Sequence, residues 1–319
     1  YARTECVNIG VVLQSCWMLV AAFFFASMTA FVKFSSADAG TFEIVFYRSL
    51  IGLIFITCCM FAKGVPFHTK YPLGHLKRSL LGTISFTTWF STMGHLPLGT
   101  ATTLNYTAPL FIAGWLIFSA LRHREKAPWN LGGAIVIGFI GVVLVLQPSV
   151  NNEQLPYALI GLCAGAMGPI IFFQIKQLGT LREPSLRIVF YFSLVGTIWG
   201  LLGCLLFEGG LKMHNSEAWF GLLSLGVCAV LAQLALTRSY AYGNMMLTAC
   251  FQFATIPIAE IISVLVFEDK LPASALLGMA LILVAGCLAS ILTRLREQKK
   301  AATRLASADA PLAPTPERR

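Results

Sequence analysis

Arg48 and Glu260 are charged residues set inside long apolar stretches, and each needs a physical reason to be there. A guanidinium near the centre of a hydrocarbon layer costs at least ~2.5 kcal/mol, so it requires a partner or water. Arg48 can bind a solute carboxylate or line a pathway. It can equally snorkel, or pair with Glu43 five residues earlier as an anchor. A carboxylate such as Glu260 is either protonated or faces a cation. It can meet a cationic group of a solute, accept a coupling proton, or form a structural pair across helices. Asn105, Tyr106, Gln174, Gln233 and Gln252 are neutral polar groups in similar runs, where facing lipid is disfavoured. Trp89 and Tyr106 can stack on an aromatic, heterocyclic or cationic solute, or anchor at an interface. Pro109, Pro169 and Pro257 each remove a backbone donor. They read as kinks or hinges that shape a cavity, or as tolerated bends in packed helices.

No constellation of an enzyme accompanies these residues. The sequence holds no His-Glu-x-x-His, no Gly-x-Ser-x-Gly and no intramembrane Asp pair. The nine cysteines have no metal-ligand spacing and read as small core residues. No metal or cofactor is expected. With no Gly-x-x-x-x-Gly-Lys motif, energy for any transport must come from a coupling ion or an exchanged solute.

The elements that position these groups follow from composition. Hydrophobic residues make up 57% of the 319 residues and charged residues 12%; soluble domains carry roughly 25% charged residues. Lipid is therefore the solvent. A backbone in hydrocarbon must satisfy its own hydrogen bonds, and these long non-alternating runs do so as helices. Ten spans are expected, at residues 10–32, 41–62, 76–95, 98–120, 129–147, 155–176, 187–207, 217–237, 245–267 and 273–293. Residues 1–9 form a short cytosolic N-terminus, and the basic, Ala- and Pro-rich tail 294–319 reads as disordered. The first run lacks a small-x-small cleavage site and reads as a retained helix.

With the N-terminus inside, nineteen of the 23 Lys and Arg residues fall in cytosolic segments, and Lys33, Lys212 and Lys270 fall outside. Both termini are then cytosolic, in a bacterial inner (plasma) membrane. The net charge of +9 belongs to anionic lipid at the inner face, not to nucleic acid.

The chain also repeats itself at an offset of 144 residues. Ile44-Val45-Phe46-Tyr47-x-Ser49-Leu50-x-Gly52 returns as Ile188-Val189-Phe190-Tyr191-x-Ser193-Leu194-x-Gly196. Leu81-Gly82 matches Leu225-Gly226, Gly99 matches Gly243, and Glu125-Lys126-x-Pro128 matches Asp269-Lys270-x-Pro272. Two five-helix halves, 10–150 and 151–293, are expected. Five is odd, so the second half enters from the opposite face, which suits alternating access to a midplane site. Arg48 has Phe192 as its twin, and Glu260 has Leu116.

This plan resembles the drug/metabolite transporter superfamily, EamA type. The resemblance rests on Arg48 early in the second helix, on Gly99-Thr100-Ala101 through Pro109, on the acidic residues after helices 4 and 9, and on Arg238-Ser239-Tyr240-Ala241-Tyr242-Gly243. It covers residues 10–293 and implies an all-α membrane fold with helices 1, 3, 4, 6, 8 and 9 around a central cavity. Trp89, Asn105, Tyr106, Gln174, Gln233, Gln252 and Glu260 lie on that set, as solute contacts or as interhelical glue. Relatives move amino acids or metabolites such as S-adenosylmethionine and riboflavin. Glu268-Asp269 and Pro109-Leu110-Phe111 look most like the S-adenosylmethionine-type branch. The first helix has no Asp or Glu, which departs from small multidrug relatives that couple protons there. The expected function is secondary transport of a small organic solute by a monomer or homodimer. An intramembrane lipid enzyme or a membrane scaffold is the rival.

Overall fold

The computed structural model describes residues 2–122, 129–149, 153–244, 248, 251–268 and 272–308. All regular secondary structure among them is helical: α1 (Ala2–Ser35), α2 (Thr41–Ala62), α3 (Pro72–Met93), α4 (Leu98–Asn105), α5 (Ala108–Arg122), α6 (Trp129–Ser149), α7 (Leu155–Thr180), α8 (Ser185–Phe207), α9 (Ser216–Tyr242), α10 (Thr255–Phe267) and α11 (Ala273–Ala308). Leu13–Ser35, Thr41–Ala62, Leu155–Thr180, Ser185–Phe207 and Ser216–Tyr242 are each long and apolar enough to cross a bilayer. Leu205, Leu206 and Phe207 at the end of α8, and Leu265 and Val266 in α10, are exposed as lipid-facing residues must be. The protein is an integral membrane protein.

Several boundaries differ from the sequence expectation. The fourth expected helix is two helices, α4 and α5, separated by Tyr106–Thr107. The ninth is likewise broken, at Phe253–Ala254 before α10. The tail expected to be structureless is helical as far as Ala308, because α11 continues through an Ala-rich, Lys/Arg-rich stretch of strong helix formers. The repeated Glu125-Lys126-x-Pro128 and Asp269-Lys270 segments lie outside the described residues.

Small residues let the helices approach closely, as membrane interfaces require. The α2–α8 contact is reciprocal. Gly52 faces Ser193, where a Cβ would stand 3.9 Å from the serine Cβ, and Gly196 faces Ser49. Gly200 lies on the backbone of Phe46, so closely that a Cβ would fall 2.6 Å from its nitrogen. Two ring pairs flank this seam. Tyr47 meets Trp219 edge-on at 5.1 Å, and Tyr191 tilts over His75 at 4.7 Å. Position 47 is the twin of 191, and 75 of 219. Elsewhere α1 packs on α9, α3 on α7, and α6 on α11.

Candidate functional site

Arg48 enters the protein from the second turn of α2 and is buried, 4% exposed. Its guanidinium carbon lies 4.1 Å from the centre of the Phe86 ring, 5.2 Å from Phe192 and 6.0 Å from Phe90. Glu43 is not its partner: that carboxylate accepts from His214 Nε2 at 2.9 Å and from the Lys212 backbone N–H at 3.0 Å. The pairing offered by sequence spacing fails because Glu43, in the first turn of α2, faces the α8–α9 connection instead.

A second arginine shares the place. Arg78, on α3, is 1% exposed, and its guanidinium carbon lies 4.6 Å from the same Phe192 ring. Nε and one Nη of Arg78, and Nε of Arg48, have no hydrogen-bond partner. The Ser79 and Thr83 hydroxyls on α3 are also buried and unpartnered. Thr83 comes to the seam beside Gly196 and Ser49. Among the described residues no carboxylate lies within 4.0 Å of either guanidinium. A desolvated cation–π contact is worth ~2 kcal/mol, whereas burying an ion costs several kcal/mol even after relaxation. The aromatic walls therefore offset only part of the cost of two buried cations.

The two helix breaks form the second constellation. At the first, the Thr107 hydroxyl donates to Leu104 O at 2.8 Å; at the second, the Thr255 hydroxyl donates to Gln252 O at 2.8 Å. Each threonine thus bonds back to a carbonyl where a helix stops, and Leu104 O also accepts the Thr107 backbone N–H at 3.4 Å. Tyr106, in the first break, lies close to Thr255, the first residue after the second. Pro109 and Pro257 do not kink continuous helices. They lie in the opening turns of α5 and α10, where a missing N–H costs nothing. Pro169 sits within α7, which continues through it. Gly165 of α7 lies against the carbonyl oxygens of Leu104 and Asn105, where a Cβ would stand only 2.7 and 2.9 Å from them, so α7 packs directly on the first break.

Around these breaks the structure joins some of the expected residues and leaves others apart. Trp89 Nε1 donates to Ala101 O at 3.2 Å, and its ring meets Tyr106 edge-on at 6.1 Å. Gln252 Oε1 accepts from the Tyr240 hydroxyl at 2.5 Å, and Tyr240 stacks on Phe172 with centroids 4.4 Å apart. Gln233 is buried on α9 with both amide atoms unpartnered, and Gln174 on α7 has an unpartnered Oε1. Asn105 ends α4 half-buried. Glu260, on α10, rests its carboxylate on Gly99 in the first turn of α4, where a Cβ would overlap it. An anion there meets the positive end of the α4 dipole.

Two further acid clusters lie at the ends of helices. Glu208 caps α2, accepting from the Phe42 and Glu43 N–H groups at 2.9 and 3.0 Å. Glu183, between α7 and α8, accepts from Thr69 at 2.9 Å, Arg187 at 2.9 Å and His75 at 3.2 Å. His75 is in the first turn of α3. Lys176 donates to Gly243 O at 3.0 Å and so closes the end of α9.

The EamA-like transporter family model matches residues 13–147. A pseudopaline exporter of Pseudomonas aeruginosa is 28% identical over 271 residues, covering 85% of this chain and 93% of its own. A riboflavin transporter of Vibrio cholerae is 26% identical, covering 84% and 90%. An S-adenosylmethionine uptake transporter of Rickettsia felis is 24% identical, covering 84% and 89%. A protein of known crystal structure shares the fold with a TM-score of 0.65 at 19% identity, over 88% of this chain and 98% of that one.

Proposed function

We propose that the chain is an EamA-type member of the drug/metabolite transporter superfamily, a membrane transporter of small organic metabolites that works by alternating access between two inverted five-helix halves. The halves are residues 10–150 and 151–293, with ten spans and both termini on the cytosolic side of a bacterial inner membrane. The observation that carries this reading is the reciprocity of the α2–α8 seam. Gly52 on Ser193 and Ser49 on Gly196 are one contact made twice, at the 144-residue offset. A two-fold axis generates such paired contacts. An odd number of spans per half lays that axis in the membrane plane.

The solute is taken between the halves, at the broken helices, with Trp89, Asn105, Tyr106, Gln174, Gln233 and Gln252 as its candidate contacts and Glu260 at the entry of α4. Broken helices with polar side chains at mid-depth are how many transporters build a substrate site. Pro109 and Pro257 mark the breaks and Pro169 the helix packed on them. A coupling ion or an exchanged solute supplies the energy. Arg48 lies on the α2–α8 seam and Glu43 at the mouth of α2.

Counterflow in proteoliposomes tests this. Vesicles preloaded with S-adenosylmethionine, riboflavin or an amino acid should accumulate tracer of the same solute, and protein-free vesicles should not. Absence of counterflow across a broad metabolite panel would remove the transport cycle.

A further inference from the structure

We infer that Arg48 and Arg78 together form a binding site for the oxyanion group of a small organic acid, enclosed between α2, α3 and α8. Two buried guanidiniums share one aromatic ring, Phe192, at 5.2 and 4.6 Å. Three of their nitrogens have no hydrogen-bond partner, and no carboxylate of the described residues neutralises them. The Ser79 and Thr83 hydroxyls, one helical turn apart on α3, add two unpartnered neutral donors. Every polar group named here can donate, and none carries negative charge. A planar fork of N–H donors matches an oxyanion geometrically, as lysine does not.

The walls define the rest of the ligand. Phe86, Phe90 and Phe192 surround the Arg48 guanidinium, and Phe86 stacks on Phe25 with centroids 6.2 Å apart. Such walls suit an apolar or aromatic body bearing the anion, and disfavour a bare hydrated ion. Both arginines are closed off from solvent, so the ligand enters only when α3 and α8 part. This narrows the solute class and, in that respect, rests on the transport reading above.

The test uses the full chain in detergent micelles, where no flux occurs. Phenylacetate, its neutral isostere phenylacetamide and inorganic phosphate are titrated by thermal shift and calorimetry. Phenylacetate should raise the unfolding midpoint saturably and the other two should not. Arg48→Gln and Arg78→Gln should each weaken phenylacetate binding at least tenfold, and the lysine replacements less. Equal shifts from phenylacetamide would overturn the site, as would wild-type affinity in folded glutamine variants. A phosphate response equal to that of phenylacetate would overturn the organic-acid assignment. Should the glutamine variants not fold, unchanged affinity in Arg48→Lys and Arg78→Lys overturns it as well. Counterflow measured separately keeps the two readings apart. Anion binding without flux sinks transport alone, and flux without an anion response sinks this site alone.

Discussion

Arg48 and Phe192 occupy the same place in two segments 144 residues apart, and they touch, with the guanidinium carbon 5.2 Å from the ring centre. Twin positions meet only close to the axis that relates them. There one site has kept a cation and the other supplies the π-face that covers it. The asymmetry makes this seam chemically distinct although its backbone contacts repeat.

The seam predicts a cross-link. A Cβ at Gly52 would lie 3.9 Å from that of Ser193, close to the ~3.8 Å of a disulfide. Gly52→Cys with Ser193→Cys, in a background without the native cysteines, should oxidise readily and arrest counterflow until reduced. A cross-linked protein that still transports at the reduced rate would show that the seam does not move in the cycle.

Glu260 and Gly99 should fail together. Gly99→Ala puts a Cβ where the tip of the Glu260 side chain rests, so the carboxylate must swing aside, and the cost stays at or below the ~1–3 kcal/mol of overpacking. Adding Glu260→Ala should recover part of the lost thermal stability, a non-additivity expected of touching residues. Strict additivity of the two midpoint shifts would separate them. Glu260→Gln should also impair or re-tune transport more than Glu153→Gln, measured as flux against pH.

The threonines at the breaks should differ in effect. Thr107→Val and Thr255→Val each strip a hydroxyl from a carbonyl that it reaches at 2.8 Å. Leu104 O keeps the Thr107 backbone N–H at 3.4 Å, whereas a carbonyl left unpaired costs ~1–3 kcal/mol. Thr255→Val should therefore lower the unfolding midpoint more than Thr107→Val. A neutral outcome for Thr255→Val would mean that another donor reaches Gln252 O.

Acid should weaken the Glu183 corner. Burial pushes this carboxyl up, but hydrogen bonds from Thr69, Arg187 and His75 and the charge of Arg187 outweigh it and hold it below its ordinary value. Burial also lowers the His75 imidazole, against the pull of Glu183, whose Oε2 lies 3.2 Å from His75 Nε2. A depressed carboxyl contributes stability above its unfolded pKa, about 4.3, and loses it as pH falls through the folded value. Midpoints followed from pH 7 downward should drop more steeply for the wild type than for Glu183→Gln. Parallel slopes would remove Glu183 as the cause.

Much of this was legible in the sequence. The repeated Ser49-x-x-Gly52 and Ser193-x-x-Gly196 spacing marked the duplication, and Arg48 announced itself by being charged in an apolar run. Arg78 did not, because beside Lys77 near a helix start it reads as one more cytosolic cation; Ser79 and Thr83 on its face were the only hint. The breaks were signalled by Pro109 and Pro257, but a proline suits a helix's first turn as well as a kink, and periodicity cannot separate the two. The partners of Glu43 and Glu183 were illegible. His214 and His75 are 171 and 108 residues away, and only tertiary packing brings them in.

The line of glycine and serine between α2 and α8 has a mechanical corollary. Side chains that do not interdigitate offer little resistance to sliding or tilting, so the seam suits a sliding joint better than a latch. A tilt across such a joint grows toward the helix ends. The charged corners at Glu43–His214 and Glu183–His75 lie at those ends, where a slight tilt becomes the widest opening.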